Sequence, residues 1–271
     1  VNAHRPRKRF GQHFLADPSV VDAIIGAIAP AADDCIVEIG PGHGILTDPL
    51  ARRCRELHAV ELDRDLAAAL RRRYAGSAHV RIHEADALNF DFGSLGNGLR
   101  VVGNLPYNIS TPLLFHLLGY RDGISDMHFM LQKEVVDRMA ASPGGRTYGR
   151  LTVMLGCHLE IEALFDVDRD AFTPPPEVTS SVVRLRPLPP GTHEISDEGT
   201  LAGLVAAAFG KRRKTLRNAL KGMAADEDFA AAGIDPALRP EALGVARWVA
   251  LANRLAPRTV ASSGTNSDIP A

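Results

Sequence analysis

The sequence predicts an α/β fold: a Rossmann-like parallel sheet followed by a small C-terminal all-helical domain. Three observations predict it. Between residues 20 and 130, short apolar runs alternate with segments of helical periodicity. The first apolar run ends in a glycine-rich loop, Gly40-Pro41-Gly42-His43-Gly44, the place where open parallel sheets bind their ligands. Residues 195–257 are rich in Ala and Leu at helical spacing and hold no clear strand.

The elements follow in order. Ser19 to Ala29 reads as a helix, because apolar residues fall at positions 20, 21, 24, 25 and 28. Cys35 to Ile39 reads as a strand running into the glycines, and Leu46 to Arg53 restarts a helix. Leu57 to Glu61 is a second strand, and Asp63 is placed to cap the helix that carries Leu66 to Arg73. Val80 to His83, Leu99 to Val102 and Met127 to Leu131 supply three more strands. Strands separated by helices imply parallel pairing through right-handed crossovers. After a helix over Glu134 to Ala140 and a Ser142-Pro143-Gly144-Gly145 turn, Leu159 to Val167 and Ser181 to Leu185 read as strands. No helix is legible between them, so an antiparallel pair is expected.

With 271 residues, 45% of them hydrophobic, the chain can bury one large core and a smaller one. The expected parts are a basic arm over 1–18, a catalytic domain over 19–187, a linker over 188–194, a helical domain over 195–257 and a disordered tail over 258–271. No apolar run approaches the roughly 20 residues of a membrane span, and no signal-peptide core opens the chain. A cytoplasmic, monomeric protein is expected. Cys35, Cys54 and Cys157 are far apart and form no C-x-x-C pair, so they read as reduced core residues, with no metal expected.

Net charge is only −1, yet its distribution is uneven. Arg5, Arg7, Lys8 and Arg9 open the chain without an acid among them. Lys211, Arg212, Arg213, Lys214, Arg217 and Lys221 form a second acid-free cluster, which leaves the remainder near −11. Basic charge gathered in two short stretches on an acidic body is the footprint of phosphate binding at a defined place. Lys214, Arg217 and Lys221 fall at i, i+3 and i+7, so a continuous amphipathic helix with a basic stripe is expected, with Phe209, Leu216 and Leu220 turned inward.

The glycine loop fails the dinucleotide spacing G-x-G-x-x-G, since Ile45 and Thr47 stand where the third glycine belongs. A G-x-G-x-G loop with Glu38 just before it fits S-adenosylmethionine better. Glu61 closes the second strand, where its two oxygens can accept both ribose hydroxyls. Asp86 follows the third strand, where it can accept the adenine amino group. The fourth strand ends in Gly103-Asn104-Leu105-Pro106-Tyr107. That stretch suits an amine acceptor conjugated to a flat base. Asn104 and the Leu105 carbonyl can accept from its two N–H bonds, Pro106 stiffens the loop, and Tyr107 can stack on the ring. Together the two loops point to methyl transfer from S-adenosylmethionine to an amino nitrogen.

In these motifs the chain resembles the KsgA-type rRNA adenine dimethyltransferases, which are related to the Erm methyltransferases. The likeness runs through Arg9 to Leu15, Glu38 to Gly44, Glu61-Leu62-Asp63, Asp86-Ala87, Gly103 to Thr111, Leu131 to Glu134, Phe172 to Pro176 and Phe209 to Asn218. It implies a class I S-adenosylmethionine-dependent methyltransferase that dimethylates two adjacent adenosines in the 3′-terminal hairpin loop of 16S rRNA, within an assembling 30S particle. By resemblance, His13, Leu15, Gly40, Gly42, Glu61, Asp86, Ala87 and Asn104 surround the cofactor, His13 standing where the family often has Asn. By resemblance also, Phe172 stacks on the target base opposite Tyr107. Alternative readings are an Erm-type 23S rRNA methyltransferase, a non-catalytic ribosome-assembly factor, and a nicotinamide dehydrogenase that the glycine spacing disfavours.

Overall fold

The computed structural model describes residues 13–256. The basic arm with Arg5, Arg7, Lys8 and Arg9, and the tail 258–271 read as disordered, lie outside the described residues. The described chain forms two compact units that divide between Thr192 and His193.

The first unit is built on a seven-stranded mixed sheet. Its strands are β2 (Cys35–Ile39), β3 (Glu56–Glu61), β4 (Val80–Glu84), β5 (Leu99–Asn104), β6 (Ile124–Gln132), β7 (Leu159–Val167) and β9 (Ser180–Pro187). They lie in the order β4-β3-β2-β5-β6-β9-β7. The first five are parallel, and β9 runs antiparallel between β6 and β7. The expected parallel core and antiparallel end pair are both present. The order reverses at β2, which pairs with β3 on one side and β5 on the other. That reversal opens a crevice beyond the strand carboxyl ends.

Sequence alternation sorts the sheet into two buried faces. Val37, Val101, Phe129 and Val183 pack into one core, and Ile36, Val102, Met130 and Val182 into the other. Helix α1 (Pro18–Ile28) covers the second with Val21, Ile24, Ile25 and Ile28. Its start is set by Pro18 at the first position and by the Asp17 carboxylate, which accepts from the Ser19 N–H at 2.8 Å. Its end is Ala29 in the left-handed region, φ 48°, before Pro30. Helix α3 (Arg64–Arg73) starts on Asp63 as expected, and ends in three arginines that complement the helix dipole. Arg100 joins these layers. Its guanidinium donates to Asp126 on β6, to Asp34 before β2, and to the last carbonyls of α1, Ile28 and Ala29.

Four features of this unit are not legible in the sequence. Helices α4 (Ser110–Leu118) and α6 (Arg150–Gly156) carry no clear signal, whereas α2 (Thr47–Ala51) falls within the expected Leu46 to Arg53. Two tiny strands, β1 (Phe14–Leu15) and β8 (Phe172–Thr173), pair antiparallel as a separate ribbon. Helix α5 (Lys133–Met139) is close to the expected span.

The second unit is helical, as its sequence implies. Its helices are α7 (Glu198–Gly210), α8 (Leu216–Ala219), α9 (Asp226–Ala231) and α10 (Val245–Leu255). Trp248 is fully buried there against Phe209. The expected basic helix is corrected: α7 stops at Gly210, a turn follows, and α8 is four residues long. The cause is a competing set of partners. The Leu216 N–H donates to the Leu238 carbonyl and the Arg217 N–H to the Pro236 carbonyl, so neither can continue the helix from 211. Leu216 and Leu220 are inward as expected. Among the described residues no helix is long and apolar enough to cross a membrane, and all three cysteines are free.

Gly103 shows how tightly the sheet is closed beside the crevice. A Cβ there would sit 2.5 Å from the Ile39 carbonyl oxygen of the neighbouring strand. Gly103→Ala is therefore expected to destabilise the protein by about 1–3 kcal/mol, as overpacking does, read as a lower urea midpoint. Gly26→Ala in α1, where nothing lies within 4 Å, is the control. It should be neutral or slightly stabilising.

Candidate active site

A cavity of about 140 Å³ opens at the carboxyl ends of β2, β3, β4 and β5. Glycines shape its floor. Gly40, Gly42 and Gly44 have φ of 67°, 58° and 82°, a region that costs other residues dearly. At Gly42 the space is also taken, because a Cβ would meet the Phe14 ring at 3.0 Å.

Acids at successive strand ends line the wall. Glu61 is 5% exposed. Its Oε2 accepts from the Gly42 N–H at 3.1 Å and its Oε1 from the Asp63 N–H at 2.8 Å. These two bonds fix the carboxylate and leave each oxygen further acceptor capacity. Burial pushes its pKa up. Asp86 accepts from the Leu88 N–H and the Asn89 amide, so it both closes a turn and borders the cavity.

Glu38 is the least expected feature. It lines the cavity from an otherwise apolar strand and is 2% exposed. Its Oε2 has no hydrogen-bond partner. Burial pushes its pKa up to about 8, opposed by the Thr47 hydroxyl and reinforced by the charges of Glu61 and Asp48. A buried carboxyl left unpartnered in a cavity wall is what a cationic or hydrogen-bonding ligand would satisfy.

Across the cavity stands the Asn104 loop. The Asn104 Nδ2 donates to the His13 carbonyl at 3.1 Å. A carbonyl can only accept, so this contact selects the amide orientation and leaves Oδ1 as the end with acceptor capacity. Leu105 is anchored by its N–H to the Met130 carbonyl. The Tyr107 hydroxyl bonds the Ser180 hydroxyl at 2.7 Å, and burial pushes its pKa up. The His13 ring lies 6.0 Å from the Tyr107 ring at an interplanar angle of 24°. Its Nδ1 donates to the Pro174 carbonyl at 2.9 Å.

The structure thus gathers His13, Leu15, Gly40, Gly42, Glu61, Asp86, Ala87 and Asn104 to Tyr107 on one cavity. Phe172 is not among them. It is 2% exposed and packs in the core with Leu15 and the α1 residues. In this structure its ring packs in that core and does not border the cavity at Tyr107. Sequence reasoning gives Glu38 no role of its own. The available signal is a carboxylate in a strand that is buried along its whole length.

The donor set fits S-adenosylmethionine. Three acids surround a glycine floor, one of them orphaned, and Asn104 carries an acceptor at the far wall. Such a site suits a cation bearing a nucleoside.

Comparison with known proteins agrees with this geometry. The sequence model of the family described as "Ribosomal RNA adenine dimethylase" matches residues 3–257. The protein called ribosomal RNA small subunit methyltransferase A in Thiobacillus denitrificans is 58% identical over 257 residues, 94% of this chain and 100% of that one. Its counterpart in Aromatoleum aromaticum is 55% identical over 266 residues, 97% of this chain and 100% of that one. The crystal structure of a dimethyladenosine transferase from Plasmodium falciparum superposes with a TM-score of 0.78 at 25% identity, covering 88% of this chain and 96% of that one.

Glu38 generates a prediction with a definite sign. Its folded pKa of about 8 lies above the ordinary carboxyl value of 4.5, so its contribution to stability is lost as pH rises through that window. Glu38→Gln should therefore be more stable than the parent without ligand, by a margin that grows from pH 5 to pH 8. Thermal melts across that range check it. The same variant should bind S-adenosylmethionine more weakly.

Proposed function

The chain belongs to the ribosomal RNA adenine dimethylase family, and we propose that it uses S-adenosylmethionine to dimethylate N6 of two adjacent adenosines in the 3′-terminal hairpin loop of 16S rRNA, within an assembling small subunit. The observation that carries this reading is the Asn104 amide, held by the His13 carbonyl so that its oxygen can serve as an acceptor at the cavity. Both relatives above are named for the small subunit, which favours this substrate over the large-subunit alternative. The intact acids and the intact Asn104 loop favour an active enzyme over a non-catalytic assembly factor.

The residues divide the work. S-adenosylmethionine supplies a methyl group already activated on a sulfonium. Glu61 would accept the ribose hydroxyls and Asp86 the adenine amine, and the glycines would allow close backbone approach. The target nitrogen is a weak nucleophile, because its lone pair is delocalised into the purine. Asn104 Oδ1 and the Leu105 carbonyl accept from its N–H bonds and favour the pyramidal geometry that attack requires. Tyr107, braced on Ser180, offers a ring for the base to stack on. Positioning and fixed dipoles are the main catalytic means. A looped-out adenosine suits them, since unpaired bases cost least to unstack.

In this reading residues 19–187 carry the transfer and 195–257 contact RNA phosphates. Arg213, Lys214, Arg217 and Lys221 are exposed. Lys211 donates to the Ala219 carbonyl, Arg212 pairs with Glu241 and Arg217 with Asp226. Phosphate contacts of this kind position RNA and carry little base identity. The arm residues Arg7, Lys8 and Arg9 belong to the same proposal.

Asn104→Ala is expected to keep S-adenosylmethionine affinity within about tenfold while turnover falls on the order of a hundredfold or more. Calorimetry and labelled-methyl transfer to unmodified small-subunit particles measure the two; normal turnover removes Asn104 from the mechanism. Replacing Arg213, Lys214 and Lys221 together by Gln should weaken particle binding. It should also flatten the log affinity against log salt slope by about 0.7 for each phosphate that is no longer neutralised.

A further inference from the structure

At the end of the sheet opposite the cavity, three ligand-type side chains meet on one face. Cys35 and Glu56 are the first residues of β2 and β3 and are register partners. His58 lies two residues along β3, so its side chain shares the face of Glu56. One donor atom from each lies within 4.8 Å of the other two. We propose that Cys35, Glu56 and His58 form a binding site for a divalent cation with affinity for thiolate, zinc being the best match.

The chemistry of the donors selects the ion. One sulfur, one imidazole nitrogen and one carboxylate oxygen suit zinc, and suit calcium or magnesium poorly. Metal–ligand bonds of about 2.0–2.3 Å need donors closer than 4.8 Å, so the set closes by roughly an ångström when filled. One pair is already near, His58 Nε2 to Glu56 Oε1 at 3.3 Å. A water completes the tetrahedron, and the thiol proton leaves to solvent.

A second layer is already in place. His58 Nδ1 lies 2.9 Å from His83 Nε2 on β4. Both imidazoles are held neutral-leaning by burial, which lowers their pKa. Without metal, His83 can donate to His58 and His58 to Glu56. With metal, the shared proton moves to His58 Nδ1, which donates to His83 Nε2; the proton displaced from His58 Nε2 is taken up through solvent at His83 Nδ1, so both rings stay neutral and His58 Nε2 turns its lone pair on the ion. Metal-bound histidines commonly use their second nitrogen this way. Arg81 competes, since it pairs with Glu56 Oε1 at 3.2 Å, and this sets the affinity below that of an all-cysteine site. Cys35 and His58 are buried while Glu56 is half-exposed, so Glu56 marks the entrance. The cavity loops follow the opposite ends of these strands, so occupancy should stabilise the sheet without supporting methyl transfer.

Cobalt(II) titration of the full chain tests this. The site predicts a thiolate-to-cobalt charge-transfer band that saturates at one equivalent and is displaced by zinc. Cys54→Ser and Cys157→Ser should keep it, and Cys35→Ser should abolish it. If Cys35→Ser fails to fold, His58→Gln decides, with at least tenfold weaker binding expected. No band in the parent chain, a band kept by Cys35→Ser, or unchanged affinity in His58→Gln overturns the assignment.

Discussion

The site depends on one contact, the His13 carbonyl accepting from the Asn104 amide. An asparagine side chain presents a donor and an acceptor of nearly the same shape. Only a neighbour with a single hydrogen-bonding role can settle which faces the cavity. His13 can play that part because the short strand it precedes is pinned. Phe14 and Leu15 pair with Thr173 and Phe172, and the Ala16 N–H donates to the Ala171 carbonyl. The His13 ring is tied in turn to Pro174. The chemistry of β5 is thus set by residues from both ends of the first unit.

The same geometry explains the tolerance of buried acids here. Carboxylates lose much hydration free energy on burial and need compensation. Glu61 receives it from two backbone N–H groups, one of them on a glycine whose φ is positive. The glycine loop therefore admits the ligand and also aims a donor at the acid that would bind it. Glu38 lacks such a partner at Oε2, and its raised pKa is the consequence. A cation bound nearby would favour its ionised form, so the cost of leaving it unpaired is recovered as ligand affinity.

Much of this was legible in the sequence, for a physical reason. Strands β2, β3, β5 and β6 are buried along most of their length and read as apolar runs, the edge strand β4 is only partly buried, and functional acids stand at or just beyond strand ends. Asp63 was legible as a cap because its side chain acts locally. Features set by distant partners were not. The β1–β8 strands are two residues each, too short to carry a period. Phe172 stands before prolines like a ligand-facing aromatic, yet its ring packs into the core among the α1 residues. The basic cluster has helical spacing on paper. Its helix breaks because two backbone N–H groups are taken by the Pro236–Leu238 segment, a fact no local pattern contains.

Charge imposes a further division. Glu61 and Asp86 border the cavity and Glu38 ionises more readily beside a cation, so the site favours a cationic ligand over phosphate. An RNA backbone gains nothing by approaching it, so affinity for RNA must be generated elsewhere on the chain. In the proposed reading that affinity comes from the basic residues between 211 and 221, of which Arg213, Lys214, Arg217 and Lys221 are exposed. Under this arrangement only a neutral base, detached from its stack, suits the acid-lined cavity. Salt should therefore act mainly on docking, while the methyl-transfer step, shielded within the cavity, responds instead to the hydrogen bonds made by Asn104.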